Sequence, residues 1–262
     1  MTIYHIKKIT GLSIILSLGL SLLFFMPALF FPKGIINIFS NDPAVVKLTS
    51  EYFMIIVFSY PLTSISTMFS MSSRSIRNPK LGMICSSIAL VCNIILNYLL
   101  IFGNLGFPAL GVKGAAIATL IARILEFMLI VGYVYIHKKD YVLKFNINHL
   151  KEIDIEFLRN FLSKSMPVFI NDATWALGSV LYSVAYAMAG TSAIAASQIA
   201  SSTGNFFIIT SICIGIGASI MLGNELGADN IDTAISYSKK FSVLVIAVGI
   251  LFEMLLIVNI PL

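Results

Sequence analysis

Residues 73–126 read SRSIRNPKLGMICSSIALVCNIILNYLLIFGNLGFPALGVKGAAIATLIARILE, and this stretch decides the fold. Two apolar runs follow a basic loop and are joined by a short hinge that contains glycine and proline. Each run is long enough to cross a bilayer as a helix, which takes about 20 residues. Polar residues inside such runs are costly unless they are paired or serve a function. The two runs contain Asn93, Asn97, Thr119, Arg123 and Glu126.

The composition of the whole chain is that of a membrane protein. Of its 262 residues, 58% are hydrophobic and 11% are charged, and the mean hydropathy is +0.95. A soluble domain needs about 25% charged residues to cover its surface. The net charge of +5 lies in loops between apolar runs, which indicates orientation in the lipid bilayer and no nucleic-acid partner.

The sequence predicts an all-α, polytopic bundle of about seven transmembrane helices. The predicted spans lie near residues 9–31, 52–72, 82–103, 113–136, 161–188, 196–222 and 241–261. Basic residues concentrate in alternate loops, which predicts a cytoplasmic N-terminus in the plasma membrane. The predicted cytoplasmic side receives Lys7, Lys8, Arg74, Arg77, Lys80, Lys138, Lys139, Lys144, Lys151, Arg159, Lys164, Lys239 and Lys240, and the other side receives Lys33, Lys47 and Lys113.

Two lysine pairs indicate an internal repeat. Lys7 and Lys8 precede the first predicted span, and Lys239 and Lys240 precede the seventh. Six predicted spans separate the two pairs, an even number that preserves orientation, as a parallel repeat requires. A protein with two complete repeats would be nearly twice as long as this chain.

The opening stretch resembles helices five and six of the multidrug and toxic compound extrusion (MATE) family. The matching features are the RNPK loop, the N-x-x-x-N helix, the turn FGNLGFPALGVKGAA, and the A-x-A-T and R-x-x-E steps. Two later segments, SMPVFINDATWALGSVLYSVAYAMAGTSAIAASQIA and ASIMLGNELGADNIDTA, resemble the start of the second lobe and the end of its second helix. The chain as a whole resembles helices three to nine of a two-lobe, six-plus-six fold.

The resemblance implies a division into two partial lobes. Residues 1–137 are predicted to form a partial first lobe of four transmembrane helices, and residues 138–160 a cytoplasmic inter-lobe linker. Residues 161–262 are predicted to form a partial second lobe of three helices. Because the remaining family helices have no counterpart, we expect that this chain alone does not catalyse coupled export and that a second chain can supply the missing helices.

Asp172 is the main candidate for cation coupling. It lies about 11 residues into its predicted span, which is roughly 16 Å deep at 1.5 Å per residue. A carboxylate at that depth costs about 2.5–3.5 kcal/mol and is a candidate for taking up a proton or a cation. Related proteins carry a Glu near N-E-x-x-W in this helix. A polar contact at a helix interface is the alternative.

Asn93, Asn97 and Thr119 match a first-lobe cation site of the family. Asn97 stands where many relatives have a titratable Asp, and the family's first-helix Asp has no counterpart. Asparagines also act as interhelical hydrogen-bonding residues, so both interpretations stay open. Arg123 and Glu126, spaced i, i+3, are predicted to form a structural ion pair.

Polar stripes on other helices could line a substrate cavity or serve packing. Asp172 shares its stripe with Trp175, Ser179 and Tyr182, and the sixth span carries Gln198 and Asn205. A third stripe comprises Ser59, Thr63, Ser66 and Ser70.

The sequence offers no enzyme chemistry. His5, His137 and His149 are paired with no nucleophile and have no metal-ligand spacing, and a Gly-rich phosphate loop is absent. No metal site or organic cofactor is predicted.

The resemblance implies a secondary antiporter that exports small organic cations or amphipathic compounds in exchange for H+ or Na+. A lipid-linked saccharide flippase of the same superfamily is one alternative. A non-transporting remnant or assembly subunit is another.

Overall fold

The computed structural model describes residues 3–39, 42–136, 143–144 and 153–259. Within these residues all regular structure is helical, as the sequence predicted. The chain divides into two compact units, Met1–Val184 and Ala185–Leu262. The predicted linker, residues 138–160, lies largely outside the described residues, as do His137 and His149. The predicted lobe limits stay predictions.

The first unit contains seven α-helices among its described residues. They are α1 (Ile3–Phe30), α2 (Pro32–Ile36), α3 (Pro43–Ile56), α4 (Ser59–Ser75), α5 (Pro79–Phe102), α6 (Val112–Ile136) and α7 (Ile155–Met188), the last of which ends in the second unit. In this unit α4 packs against α1, α5 and α6, while α3 and α5 both pack against α6.

Helix ends follow local sequence signals. Pro43 and Pro79 begin α3 and α5, where a missing N–H costs nothing. The Asp42 carboxylate accepts a hydrogen bond from the Ala44 N–H at 2.8 Å and caps α3. At the start of α7 the Asp154 carboxylate accepts from the Phe157 N–H at 2.8 Å.

Five of the described helical segments are long and apolar enough to cross a membrane. They are His5–Phe30, Pro79–Phe102, Val112–Ile136, Ile208–Gly227 and Ile231–Met254. A sixth span is formed if α3 and α4 are taken together, although they are bent by 51°. The predicted span 161–188 lies inside α7 but is absent from this set, because polar residues such as Asn171 and Asp172 lower its hydropathy.

Proline explains the bend between α3 and α4. The sequence analysis predicted one span over residues 52–72, but α3 ends at Ile56 and α4 begins at Ser59. Pro61 has no N–H to donate to the Val57 carbonyl, and its ring clashes with that carbonyl in a continuous helix. The Val57 carbonyl instead accepts from the Tyr60 N–H at 3.1 Å.

A hydrophobic core closes one end of the first unit. Phe69 of α4 and Ile130 of α6 are almost completely buried there, with Leu143 from the described part of the linker. The next residue, Lys144, donates from Nζ to the Tyr135 carbonyl at 3.2 Å and lies 5.7 Å from the centre of that tyrosine ring. These contacts attach residues 143–144 to the end of α6. The full core cluster comprises Ile14, Phe69, Leu81, Cys85, Ile130, Val134 and Leu143.

The second unit contains two long helices that pack against each other, α8 (Thr191–Gly227) and α9 (Ile231–Asn259). The turn between them is fixed by Asn230, which donates from its backbone N–H to the Glu225 carbonyl at 2.9 Å. The Asn230 side chain also donates to the Glu225 carboxylate at 3.0 Å. The turn coincides with the G-x-x-L-G-A motif, residues 223–228.

Candidate functional site

The α5–α6 hairpin brings the polar residues of the opening stretch together. α5 ends at Phe102, and the next residue, Gly103, has a φ of +72°, which favours glycine. The chain then returns so that the Leu110 N–H donates to the Leu100 carbonyl at 2.9 Å. Gly114 of α6 lies directly against the Leu100 carbonyl, where any Cβ would collide with it. The absence of a side chain at Gly114 therefore allows the two helices to approach closely.

Asn93, Asn97 and Thr119 form one chain of hydrogen bonds between α5 and α6. Asn97 Nδ2 donates to Asn93 Oδ1 at 3.0 Å, and Asn93 Nδ2 donates to Thr119 Oγ1 at 3.4 Å. Thr119 Oγ1 in turn donates to the Ala115 carbonyl at 2.9 Å. The three side chains that the family resemblance assigns to a cation site are thus neighbours.

One oxygen in this chain of hydrogen bonds has no partner. Asn97 Oδ1 is buried and accepts no hydrogen bond within the described part of the protein. A buried acceptor without a donor is costly, by about 1–3 kcal/mol.

Glu126, Arg123 and Ser86 form a second polar cluster between α5 and α6. The Glu126 side chain is only 9% exposed, and its Oε2 is 2.7 Å from Arg123 Nη1. Ser86 of α5 donates a hydrogen bond to Glu126 Oε1 at 2.6 Å. The carboxylate therefore has a positive partner on its own helix and a neutral donor on the neighbouring helix.

Two cavities adjoin these clusters. The smaller, of about 290 Å³, lies between α5 and α6 and is lined by Ser86, Asn93, Thr119 and Arg123 among others. The larger, of about 610 Å³, is bounded by α1, α3, α4 and α6. Thr119 and Arg123 line both cavities.

The larger cavity combines hydroxyl groups with aromatic rings. Its hydroxyl lining includes Ser17 and Ser21 of α1 and Ser59 and Thr63 of α4. Ser66 and Ser70, the other members of the predicted α4 stripe, are buried in helix packing instead. Its aromatic lining consists of Phe24, Tyr52 and Tyr60.

Asp172 and its stripe lie on the uncovered surface of α7. Asp172 is exposed, and Asn171 Nδ2 donates to its Oδ1 at 3.4 Å. Trp175 and Tyr182 are 75% and 71% exposed, and Ser179 donates only to the Trp175 carbonyl of its own helix, at 3.1 Å. The described residues of this chain therefore do not enclose Asp172 in a pocket.

Gln198 and Asn205 belong to α8 in the second unit, and both are exposed. The Gln198 carbonyl accepts from Ser202 Oγ at 2.8 Å. Their predicted role in lining a substrate cavity stays a prediction.

Sequence reasoning missed Ser86 and the α1 hydroxyls. Ser86 precedes Asn93 by seven residues, which places both on one face of α5. This spacing could have identified Ser86 as a neighbour of the polar residues. Ser13, Ser17 and Ser21 recur every fourth residue along α1 and form a comparable stripe.

No group of three or more His, Cys, Asp or Glu side chains that could hold a metal ion occurs in the described part of the chain. Cys85, Cys92 and Cys213 are free thiols. The polar clusters of the α5–α6 hairpin consist instead of amides, hydroxyls and one ion pair.

Comparison with known proteins identifies one family. The family model described as MatE matches residues 3–99 and 167–262, which together exceed half of the chain.

Curated relatives carry the name probable multidrug resistance protein NorM. The protein from Pasteurella multocida is 29% identical over 231 residues, covering 83% of this chain and 49% of its own length. The Bacillus cereus protein is 34% identical over 177 residues, covering 66% of this chain and 38% of its own length. This chain thus spans about half the length of the first relative and a smaller share of the second.

A solved structure has a similar fold. It is described as the inward-facing conformation of a multidrug resistance MATE family transporter of the MOP superfamily. The TM-score is 0.60 at 19% identity, and the alignment covers 95% of this chain and 56% of that one.

Proposed function

Because this chain belongs to the MatE family and is a multi-pass membrane protein, we propose that it forms part of a secondary antiporter that exports amphipathic or cationic organic compounds. The family match over residues 3–99 and 167–262 is the observation that carries this proposal. Its relatives are named as multidrug resistance proteins. Among reaction classes, this membership favours transport over enzymatic catalysis.

The larger cavity, bounded by α1, α3, α4 and α6, supports the proposal. Its volume of about 610 Å³ suits a small organic molecule, since ligand pockets typically measure about 300–1,000 Å³. Tyr52 and Tyr60 offer π faces to a ligand cation. Hydroxyl groups along α1 and α4 can rotate and can either donate or accept hydrogen bonds, so they can bind ligands of different shapes.

We assign cation coupling to two places in the chain. The first is the Asn93–Asn97–Thr119 chain of hydrogen bonds. Within it, Asn97 Oδ1 accepts no hydrogen bond from the described residues and is the atom that would coordinate a cation. The second is Asp172, the acidic residue of the α7 stripe. Coupling to H+ or Na+ allows transport without ATP, and no further cofactor is required.

The whole transporter needs more helices than the described ones, since the relatives are about twice as long as the aligned part of this chain. We propose that helices equivalent to the rest of those relatives complete the transporter, in the same polypeptide or in a second one. Those helices would cover the exposed stripe of α7. In this arrangement the N-terminus and the linker face the cytoplasm.

The experiment measures uptake of a fluorescent organic cation into everted membrane vesicles under an imposed proton or sodium gradient. Two forms are compared, the chain alone and a chimera in which a full-length relative supplies the remaining helices. We expect gradient-driven uptake by the chimera and none by the chain alone. No uptake by the chimera under either gradient would refute antiport.

Substitution of Asp172 tests its role in the same assay. We expect Asp172→Asn to abolish gradient-driven uptake, because the amide retains size and hydrogen bonding but carries no titratable charge, and Asp172→Glu to retain part of it. Glu156→Gln is the matched control, since Glu156 lies in the first turn of α7. Wild-type uptake by the Asn variant would show that Asp172 is a structural contact only.

A further inference from the structure

Arg123 is the charged residue that lines both the cavity between α5 and α6 and the larger cavity bounded by α1, α3, α4 and α6. Its side chain is 44% exposed, whereas the carboxylate with which it pairs is only 9% exposed. The ion pair is therefore asymmetric, because Glu126 is enclosed by protein while the guanidinium is open to the cavities.

Helix packing does not account for this open guanidinium. The bond that ties α5 to α6 at this level runs from Ser86 to Glu126. Arg123 contacts Glu126 on its own helix, and the one hydrogen bond that it makes within the described chain uses Nη1. A guanidinium has five N–H donors in a planar fork that matches a carboxylate or a phosphate. Most of the donors of Arg123 remain available to a ligand.

The charge of the larger cavity determines which ligand group Arg123 can bind. Its lining contains no Asp or Glu among the described residues, and Arg123 is the only ionised side chain there. A ligand cation therefore finds aromatic faces but no carboxylate, and a ligand carboxylate finds a guanidinium. The neighbouring Glu126 already neutralises Arg123, so a purely anionic ligand would leave a net negative charge inside the membrane.

We propose that Arg123 is an anion-binding subsite for zwitterionic amphipathic ligands. The ligand carboxylate binds the open N–H groups of Arg123, its ammonium group lies against Tyr52 or Tyr60, and its apolar part fills the cavity beside Phe24. Such a ligand adds no net charge to the site. This inference rests on the proposed transport function and specifies the class of its cargo.

Three forms of one fluorescent probe test the charge preference. In a mildly acidic buffer that keeps the α-amino group protonated, Nε-dansyl-lysine is a zwitterion, its methyl ester is a cation, and its Nα-acetyl derivative is an anion. Binding of each to the purified full chain in lipid nanodiscs is followed by fluorescence anisotropy. Because a hydrogen bond between two charged groups is roughly twice as strong as one between neutral groups, we expect the zwitterion to bind at least about tenfold more tightly than the ester.

The test variant is the double substitution Arg123→Gln with Glu126→Gln. It removes both charges together, so no buried carboxylate is left unpaired, and Ser86 retains an acceptor. We expect the preference for the zwitterion to fall to within about twofold, with the affinity for the ester nearly unchanged. Lys113→Gln is the matched control, because Lys113 lies at the start of α6 and lines neither cavity. This control should retain the wild-type preference.

Three results would overturn the inference. They are a zwitterion preference that persists in the double variant, equal or tighter binding of the ester by the wild-type chain, and absence of binding by all three probes. Tighter ester binding would favour cationic cargo and would leave the proposed transport function in place. The vesicle experiment above judges transport independently, because it requires a gradient and the binding assay does not.

Discussion

The surroundings of Glu126 show how single residues make a charge tolerable inside an apolar bundle. A carboxylate removed from water requires both a counter-ion and hydrogen-bond donors. Arg123 supplies the first at 2.7 Å and Ser86 the second at 2.6 Å. Because Ser86 is on the neighbouring helix, the hydrogen bond that satisfies Glu126 also links α5 to α6.

Removing the Ser86 hydroxyl should therefore destabilise the hairpin. Ser86→Ala leaves Glu126 Oε1 without its donor, and we expect a loss of about 1–3 kcal/mol in the free energy of unfolding. Ser87→Ala is the control, since Ser87 is exposed on the same helix and should change stability by less than about 0.5 kcal/mol. Unfolding of both variants in mixed detergent micelles gives the comparison. Equal stability of the two variants would mean that Glu126 is satisfied without Ser86.

At the scale of helices, the α5–α6 hairpin depends on close backbone approach. Association of helices in a membrane relies on tight packing, because lipid tails are as apolar as the side chains. Gly114 lies against the Leu100 carbonyl and allows this approach, while Gly132, further along α6, has only the Ile136 side chain near it, at 3.9 Å. The two glycines of one helix therefore play different roles.

A methyl group at each glycine separates these roles. We expect Gly114→Ala to push α6 away from α5 and to cost about 1–3 kcal/mol, as overpacking of a tight contact does. Gly132→Ala should be neutral or stabilising by up to about 1 kcal/mol, because alanine is the better helix former and the site has room. The free energies of unfolding of the two variants decide this. A Gly114→Ala variant as stable as Gly132→Ala would refute the close-approach model.

Much of the helical fold and part of the site could be predicted from the sequence. Apolar runs of about 20 residues determine helices in a bilayer, so α1, α5, α6 and α9 were predictable from composition alone. The i, i+3 spacing predicted the Arg123–Glu126 pair, and Arg123 Nη1 lies 2.7 Å from Glu126 Oε2. The grouping of Asn93 with Asn97 follows from helical periodicity in the same way.

Other features depend on tertiary contacts or on competing local effects that periodicity does not contain. The bend at Pro61 divides an apolar run that reads as one span. The hydrogen bond from Ser86 of α5 to Glu126 depends on how α5 and α6 are rotated relative to each other. The residue spacing within one helix does not determine that rotation. The assignment of Ser66 and Ser70 to packing and of Ser59 and Thr63 to a cavity depends on which helices cover α4.

For the whole molecule, the distribution of charge is the strongest constraint on orientation. Loops that retain Lys and Arg stay on the cytoplasmic side during membrane insertion. The turn between α4 and α5 contains Arg77, and Lys80 lies in the first turn of α5. The turn between α5 and α6, residues 103–111, contains no basic residue. The two ends of α5 are therefore predicted to face opposite compartments, with Lys80 in the cytoplasm.

Single cysteines at the two ends of α5 test this orientation. Lys80 is exposed, and Leu105 is 86% exposed, so Lys80→Cys and Leu105→Cys should both be reactive where reagent reaches them. The natural thiols Cys85, Cys92 and Cys213 are first replaced by alanine. We expect a membrane-impermeant maleimide to label Leu105→Cys on intact cells and to label Lys80→Cys only after the membrane is opened. The unsubstituted, cysteine-free chain is the control for background labelling. The reverse pattern would invert the orientation of the first unit and would place its N-terminus outside, and labelling of both sites on intact cells would contradict α5 as a membrane span.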